Sequence, residues 1–165
     1  IHLFLESTDD TIIHPLLSIF TNCLVLNIHL NWILEPAIIG KFGHIFDTCP
    51  YQVKEPAIRF FLTAAYVSSG QFLQTLIDLP VMIEAIQNIP SLSGEGIDLM
   101  SKCLNNLLMK IGRGDVQATD EFDTCVIDTL KILMNCSEGP EENNNTSELA
   151  ETIFQSNYPD QYYQQ

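Results

Sequence analysis

An all-α chain of stacked helical repeats is predicted by this sequence, on three observations. Apolar residues recur at helical spacing along most of the 165 residues. No stretch alternates apolar with polar as a half-buried strand does, and no Asn-Gly hairpin turn occurs. The long apolar helices also recur at a constant interval: from Asn22 to Ala64 is 42 residues, and from Ala64 to Asn106 is 42 again.

The first long helix is expected from Ile12, where Ile12, Leu16, Ile19, Phe20, Cys23 and Leu24 form the apolar stripe of a packed helix. Asp9 or Asp10 supplies its N-cap. Pro15 sits near its start, where a missing N–H costs least. A second helix covers 32–46, punctuated by Gly40 and Gly43, and Asp47-Thr48-Cys49-Pro50 reads as a turn. A third covers 53–67, with Pro56 near its start, and Ser68-Ser69-Gly70 stops it. Shorter helices cover 72–79 and 80–89, the latter opening on Pro80, and 90–96 is a loop. A long helix over 97–111 ends at Gly112 and Gly114. A polar, acidic stretch over 115–123 leads into an apolar helix at 125–134. Residues 137–147 are poor in apolar side chains and read as a disordered acidic linker. A short amphipathic helix over 149–154 and a Tyr- and Gln-rich tail over 156–165 complete the chain.

Three segments share one plan: a loop, a long apolar helix, a small-residue stop, a short helix and a medium helix. Units of about 40–47 residues are those of armadillo and HEAT arrays. One such unit cannot bury its own apolar face, whereas stacked units share a core and wind into a right-handed superhelix with a concave surface. The organisation predicted is an array over 1–136, with repeats 1–30, 31–72 and 73–114 and a closing helix at 124–135. A linker at 137–147 and a C-terminal helix and tail at 148–165 follow. The chain begins at Ile1 rather than Met, so it reads as an excerpt.

The charge is strongly acidic, 21 Asp+Glu against 7 Lys+Arg, formally −14. Nucleic acid is a poor partner, because phosphate affinity comes from Lys and Arg. An anionic membrane surface is disfavoured for the same reason. Insertion is disfavoured too, since the apolar stretch 12–34 carries His14, Asn22, Asn27, His29 and Asn31. Basic peptides are the natural electrostatic complement. The five cysteines are Cys23, Cys49, Cys103, Cys125 and Cys136, an odd number without CxxC pairs or zinc-type spacing. They point to a reducing compartment, with the thiols acting as small hydrophobes.

Catalytic and metal motifs are missing from the sequence. His2, His14, His29 and His44 are scattered and make no HExxH. Gly112-Arg113-Gly114 has no following Lys-Ser/Thr, and Ser91-Leu92-Ser93-Gly94 is not a nucleophile elbow. Asp115, Asp120, Glu121, Asp123 and Asp128 lack the pattern of a calcium loop and read as a solvated face. The expectation is a non-catalytic binding protein with no cofactor and no metal.

Four segments, taken in order, resemble the C-terminal armadillo repeats of the importin α family. DDTIIHPLLSIFTNCLVL (9–26) has the family's proline, apolar run and asparagine seven residues on, at Pro15 and Asn22. In 33–70, Lys54-Glu55-Pro56-Ala57 matches the Lys-Glu-Ala start of a third helix, and Ser68-Ser69-Gly70 matches its stop. IDLMSKCLNNLLMKIG (97–112) resembles the family's Gly-Leu-Glu-Asn-Ile-Leu core, and 126–158 its closing helices. The resemblance implies an adaptor that binds basic nuclear-localisation-signal peptides and an export receptor, in cytoplasm and nucleus. It implies a peptide groove at Ser18, Asn22, Glu55, Phe60 and Asn106. This chain departs from the family's ladder of Trp and Asn. Ser18, Phe60 and Lys102 stand four residues before Asn22, Ala64 and Asn106, and Ala64 replaces the clamping asparagine. Trp32 falls outside the ladder, as a core residue. A diverged armadillo scaffold with an unrelated protein partner is the alternative.

Overall fold

Asp9 starts the first long helix in the manner its side chain favours. The backbone there is extended, and a carboxylate oxygen accepts from the Thr11 amide at 2.9 Å and from its hydroxyl at 2.6 Å. The computed structural model describes residues 1–26, 31–135 and 144–162. Among these, every regular element is helical, so the all-α expectation holds. The helices are α1 (His2–Glu6), α2 (Asp10–Val25), α3 (Pro36–Thr48), α4 (Tyr51–Val67), α5 (Gly70–Ile77), α6 (Pro80–Gln87), α7 (Gly94–Gly112), α8 (Asp120–Asn135), α9 (Asn144–Asn157) and α10 (Pro159–Tyr162). Short 3₁₀ turns occupy Asn31–Leu34 and Ile89–Ser91. The packing divides at Ala85 and Ile86 into two units.

In the first unit, α2 and α4 lie side by side over a core of aromatic rings. Phe42 and Phe60 stack with centroids 5.0 Å apart and planes 10° from parallel. Phe61 meets Phe42 edge-on at 4.6 Å, and Phe4 lies 5.4 Å from both Phe20 and Phe42. Trp32, half-buried, sits 4.9 Å from Phe20 and 6.0 Å from Phe60, a packing role outside any ladder. Such ring pairs are worth ~0.5–1.5 kcal/mol each beyond the area they bury.

Several boundaries differ from those predicted, α7 and α8 among them, which start at Gly94 and Asp120 rather than at 97 and 125. Glu35-Pro36 breaks the 32–46 helix in two, because the residue before proline is pushed out of helical geometry and Pro36 then opens α3 at its first position. Pro15 and Pro56 are each the sixth residue of their helices, two residues deeper than expected, because α2 and α4 start at Asp10 and Tyr51. Gly70 does not end α4. Ser68, in extended geometry, does that, while Gly70 takes a φ of 57° at the first position of α5.

In the second unit, α7 packs against α9, and α8 against α9. The end of α7 is a Schellman motif: Asp115 N–H donates to Lys110 C=O at 3.0 Å and Gly114 N–H to Ile111 C=O at 2.9 Å. Gly114 has φ 78°, the left-handed conformation that glycine adopts without strain. Thr119 Oγ1 caps α8 by accepting from the Phe122 amide at 3.1 Å. Asp120, Glu121 and Asp123 fill the first turn of α8, where carboxylates complement the helix dipole.

The C-terminal segment is built into this unit rather than appended to it. Helix α9 starts at Asn144, so the last four residues of the expected linker are helical, while 137–143 lie outside the described residues. Ala150, Ile153 and Phe154 are buried. Thr146 donates to Asp98 at 2.9 Å and Ser147 to the Met134 carbonyl at 2.8 Å, tying one end of α9 to α7 and α8. Asn157 donates to Asn105 at 3.3 Å and the Tyr158 hydroxyl to Asp123 at 3.0 Å, just beyond the other end. The tail residues 159–162 form α10, in place of an irregular tail, and 163–165 lie outside the described residues.

Two measurements test this account of the folding energetics. In the first unit, Phe60→Ala should lower stability by ~3–5 kcal/mol, the cost of emptying a packed aromatic site. Pro15→Ala should raise it by about 2 kcal/mol, since an exposed interior proline costs ~3 and returns ~1 through the unfolded chain. Denaturant melts of the two variants against the parent decide both. In the second unit, burial pushes the Cys125 thiol from 9.0 up to about 11, and burial beside Asp123 raises the Tyr158 phenol. Both groups ionise more readily once unfolded, so their stabilisation is complete below their unfolded pKa values and lost as pH rises through the folded ones. The melting temperature should therefore fall from about pH 9.0 through pH 11, and Cys125→Ala should flatten that slope.

Candidate functional site

Helices α2 and α4 keep a constant register. Phe20 meets Phe60, and in the two turns before them His14 and Ser18 share a cleft with Glu55, Pro56 and Arg59, an offset of about 40 residues. The two helices thus run in the same direction, with Pro15 and Pro56 at equivalent positions. Their outward faces are polar. On α2, His14, Ser18 and Asn22 follow at i, i+4 and i+8, all exposed; on α4, Glu55 and Arg59 stand at i and i+4.

Between these rows lies an open cleft of about 280 Å³ lined by His14, Ser18, Glu55, Pro56 and Arg59. Arg59 Nη2 donates to Glu55 Oε1 at 2.8 Å and Nε to the same oxygen at 3.2 Å. This leaves Glu55 Oε2 and Arg59 Nη1 without hydrogen bonds among the described residues. Side-chain exposure is 37% for Arg59 and 24% for Glu55, so both still face water. Pro56 is buried and forms an apolar wall; lacking an N–H, it also frees the Gln52 carbonyl from its usual helical donor.

Ser, His and Glu in one cleft invite comparison with a hydrolytic triad, and the bonding differs. The Ser18 hydroxyl donates to the His14 backbone carbonyl at 3.3 Å, and the His14 ring has no hydrogen bond among the described residues. A triad requires the base bonded to the nucleophile and to its orienting carboxylate.

Of the five residues implied as a peptide groove, the cleft unites Ser18 and Glu55. Asn22 is exposed one turn beyond Ser18 and does not line it. Phe60 is a correction. It is 0% exposed, because it stands five residues after Glu55 and turns from the polar row into the aromatic core. Asn106 belongs to the second unit, half-buried, with its Oδ1 shielded and without a hydrogen-bond donor among the described residues. His14, Pro56 and Arg59 were not singled out as site residues from the sequence. The i, i+4 spacing of His14 to Ser18 and of Glu55 to Arg59 is the signal that carries them.

Outside the cleft, Cys23, Cys49, Cys103 and Cys125 form no disulfides, and burial raises Cys103 as it does Cys125. No group of three or more His, Cys, Asp and Glu side chains among the described residues is placed to hold a metal ion. No helix among them is long and apolar enough to cross a membrane. The chain matches no family model, no curated protein and no solved structure.

The Glu55–Arg59 pair is a solvent-facing i, i+4 pair, a class worth ~0.3–0.5 kcal/mol. Arg59→Ala should therefore move the melting midpoint of the chain by no more than that figure implies. A loss above ~1 kcal/mol in a denaturant melt would mean that Arg59 holds the fold together instead of equipping the cleft.

Proposed function

We propose that this chain is a protein-binding module of the armadillo kind, non-catalytic, whose cleft on α2 and α4 receives a segment of a partner protein. The observation that carries this reading is the register of the two long helices. They run side by side in one direction, in step at about 40 residues, and present polar side chains around an open cleft. Parallel third helices at a fixed period are how a stacked-repeat array builds a binding face. The 42-residue spacing continues to Asn106 in α7, in keeping with a further repeat. The divergence from importin α is then a divergence of the ladder, with the plan of the repeats retained.

The narrower reading is a nuclear-import adaptor for basic signals, working in cytoplasm and nucleus and handed to an export receptor. Two observations favour it: the formal charge of −14, and the meeting of Ser18 and Glu55 in one cleft. Three weigh against it. Phe60 is buried, the Asn106 oxygen is shielded, and Glu55 is already engaged by Arg59. An incoming lysine could reach only the second oxygen, beside the like charge of that guanidinium.

Titration of a labelled bipartite basic peptide separates the two readings. The expected outcome is weak association at low salt that is lost at physiological salt, as screened long-range attraction is. It should be indifferent to Asn22→Ala and Asn106→Ala. Saturable binding at physiological salt that both substitutions weaken would establish the adaptor instead.

A further inference from the structure

The chemistry of the cleft differs from that of the chain around it. The first unit has three Lys and Arg against eight Asp and Glu, and one of those three cations, Arg59, stands in the cleft. Glu55 neutralises one edge of the guanidinium through a single oxygen, since Nε and Nη2 both donate to Oε1. Nη1 remains uncommitted. A guanidinium presents five donors in a rigid plane, and its unused edge matches the two oxygens of a carboxylate. The pairing with Glu55 also orients that edge. Around it stand the unbonded imidazole of His14 and the exposed hydroxyl of Ser18, whose one proton, now on the His14 carbonyl at 3.3 Å, can turn to an incoming oxygen, with the Pro56 ring as an apolar wall.

We propose that this cleft is a subsite for one acidic side chain, an Asp or Glu of the bound protein segment, held by Arg59 with His14 and Ser18. The proposal rests on the reading of the cleft as a segment-binding site and names what that site selects. A volume of about 280 Å³ suits one side chain, and a monoanion suits a site that already contains Glu55. A phosphate dianion would bring twice the charge against the same carboxylate. The chain's net charge of −14 repels acidic residues elsewhere on a partner, and Arg59 is the local exception that admits an anion at one point.

The test uses the full chain and three capped amino acids: N-acetyl-glutamate, N-acetyl-glutamine and N-acetyl-lysine, each as its N-methylamide. Binding is followed by the NMR resonances of the Arg59 Nε–H and of the Ser18 and Glu55 amides. Capped glutamate should shift these saturably. Capped glutamine, the same shape without the charge, should bind ~10-fold more weakly, the scale of one charge-assisted contact. Arg59→Gln should abolish the shifts while leaving the rest of the spectrum in place. Arg59→Lys, which keeps the charge and loses the fork, should weaken them. Equal binding of glutamine, or a preference for lysine, would overturn the carboxylate assignment and leave a segment-binding cleft of other specificity. Silence toward all three at tens of millimolar would overturn the subsite and the cleft reading together.

Discussion

Phe60 lies against Phe42 with ring planes 10° from parallel, and around this stack the first unit is assembled. The two rings belong to α4 and α3. Phe20 of α2, Trp32 of the preceding 3₁₀ turn and the adjacent Phe61 all approach the same point. Four elements of the chain are thus tied to one residue with no solvent exposure. Aromatic rings hold their neighbours at defined distances and angles, more so than flexible aliphatic chains, so such a cluster sets helix spacing as well as energy. The constant offset between α2 and α4 follows from it.

The cleft is the outer consequence of that inner constraint. In a helix, the residues that face away from a core return every third or fourth position. Once Phe60 is committed inward, Glu55 and Arg59 are committed outward; once Phe20 is committed inward, Ser18 and His14 are committed outward. Pro56 contributes on both counts, since its buried ring packs while its missing N–H opens the ladder of hydrogen bonds beside the site. Polar side chains are then fixed by packing they do not take part in, which is how a rigid scaffold prepares a binding face.

The second unit solves a different problem, the retention of a polar C-terminal helix. Helix α9 buries only a short apolar stripe, Ala150, Ile153 and Phe154. Side-chain hydrogen bonds near both ends supplement it: Thr146 to Asp98, Ser147 to Met134, Asn157 to Asn105 and Tyr158 to Asp123. A neutral one contributes ~0.5–1.5 kcal/mol and one to a carboxylate more, and a buried partner left unpaired costs ~1–3 kcal/mol. Half-buried Asp98 and Asp123 are therefore acceptors with a structural task, so the acidic first turn of α8 is not simply a solvated face.

What was legible in the sequence is what local chemistry decides. Asp9 as a cap, Pro80 at a first helical position and Gly114 past the end of α7 are all signals read within one turn of chain. The break at Glu35-Pro36 was equally local and could have been read from the same rule. Other features were closed to such reading. Residues 144–148 contain no large apolar side chain, and the helix there is held by Thr146 reaching a residue 48 positions earlier. Gly94 and Gly96 argue for a loop by propensity, yet they open α7, with Gly96 buried, because packing overrides a preference worth ~1 kcal/mol. The site falls between these cases. Resemblance points to Glu55 and, by the same count of four residues back from Asn22 and Ala64, to Ser18 and Phe60. Helical geometry argues against Phe60 without any structure: a residue five after Glu55 stands about 140° around the helix from it, given 3.6 residues per turn. Arg59, four after Glu55, is the residue that shares its face, and the same spacing rule that excludes the one nominates the other.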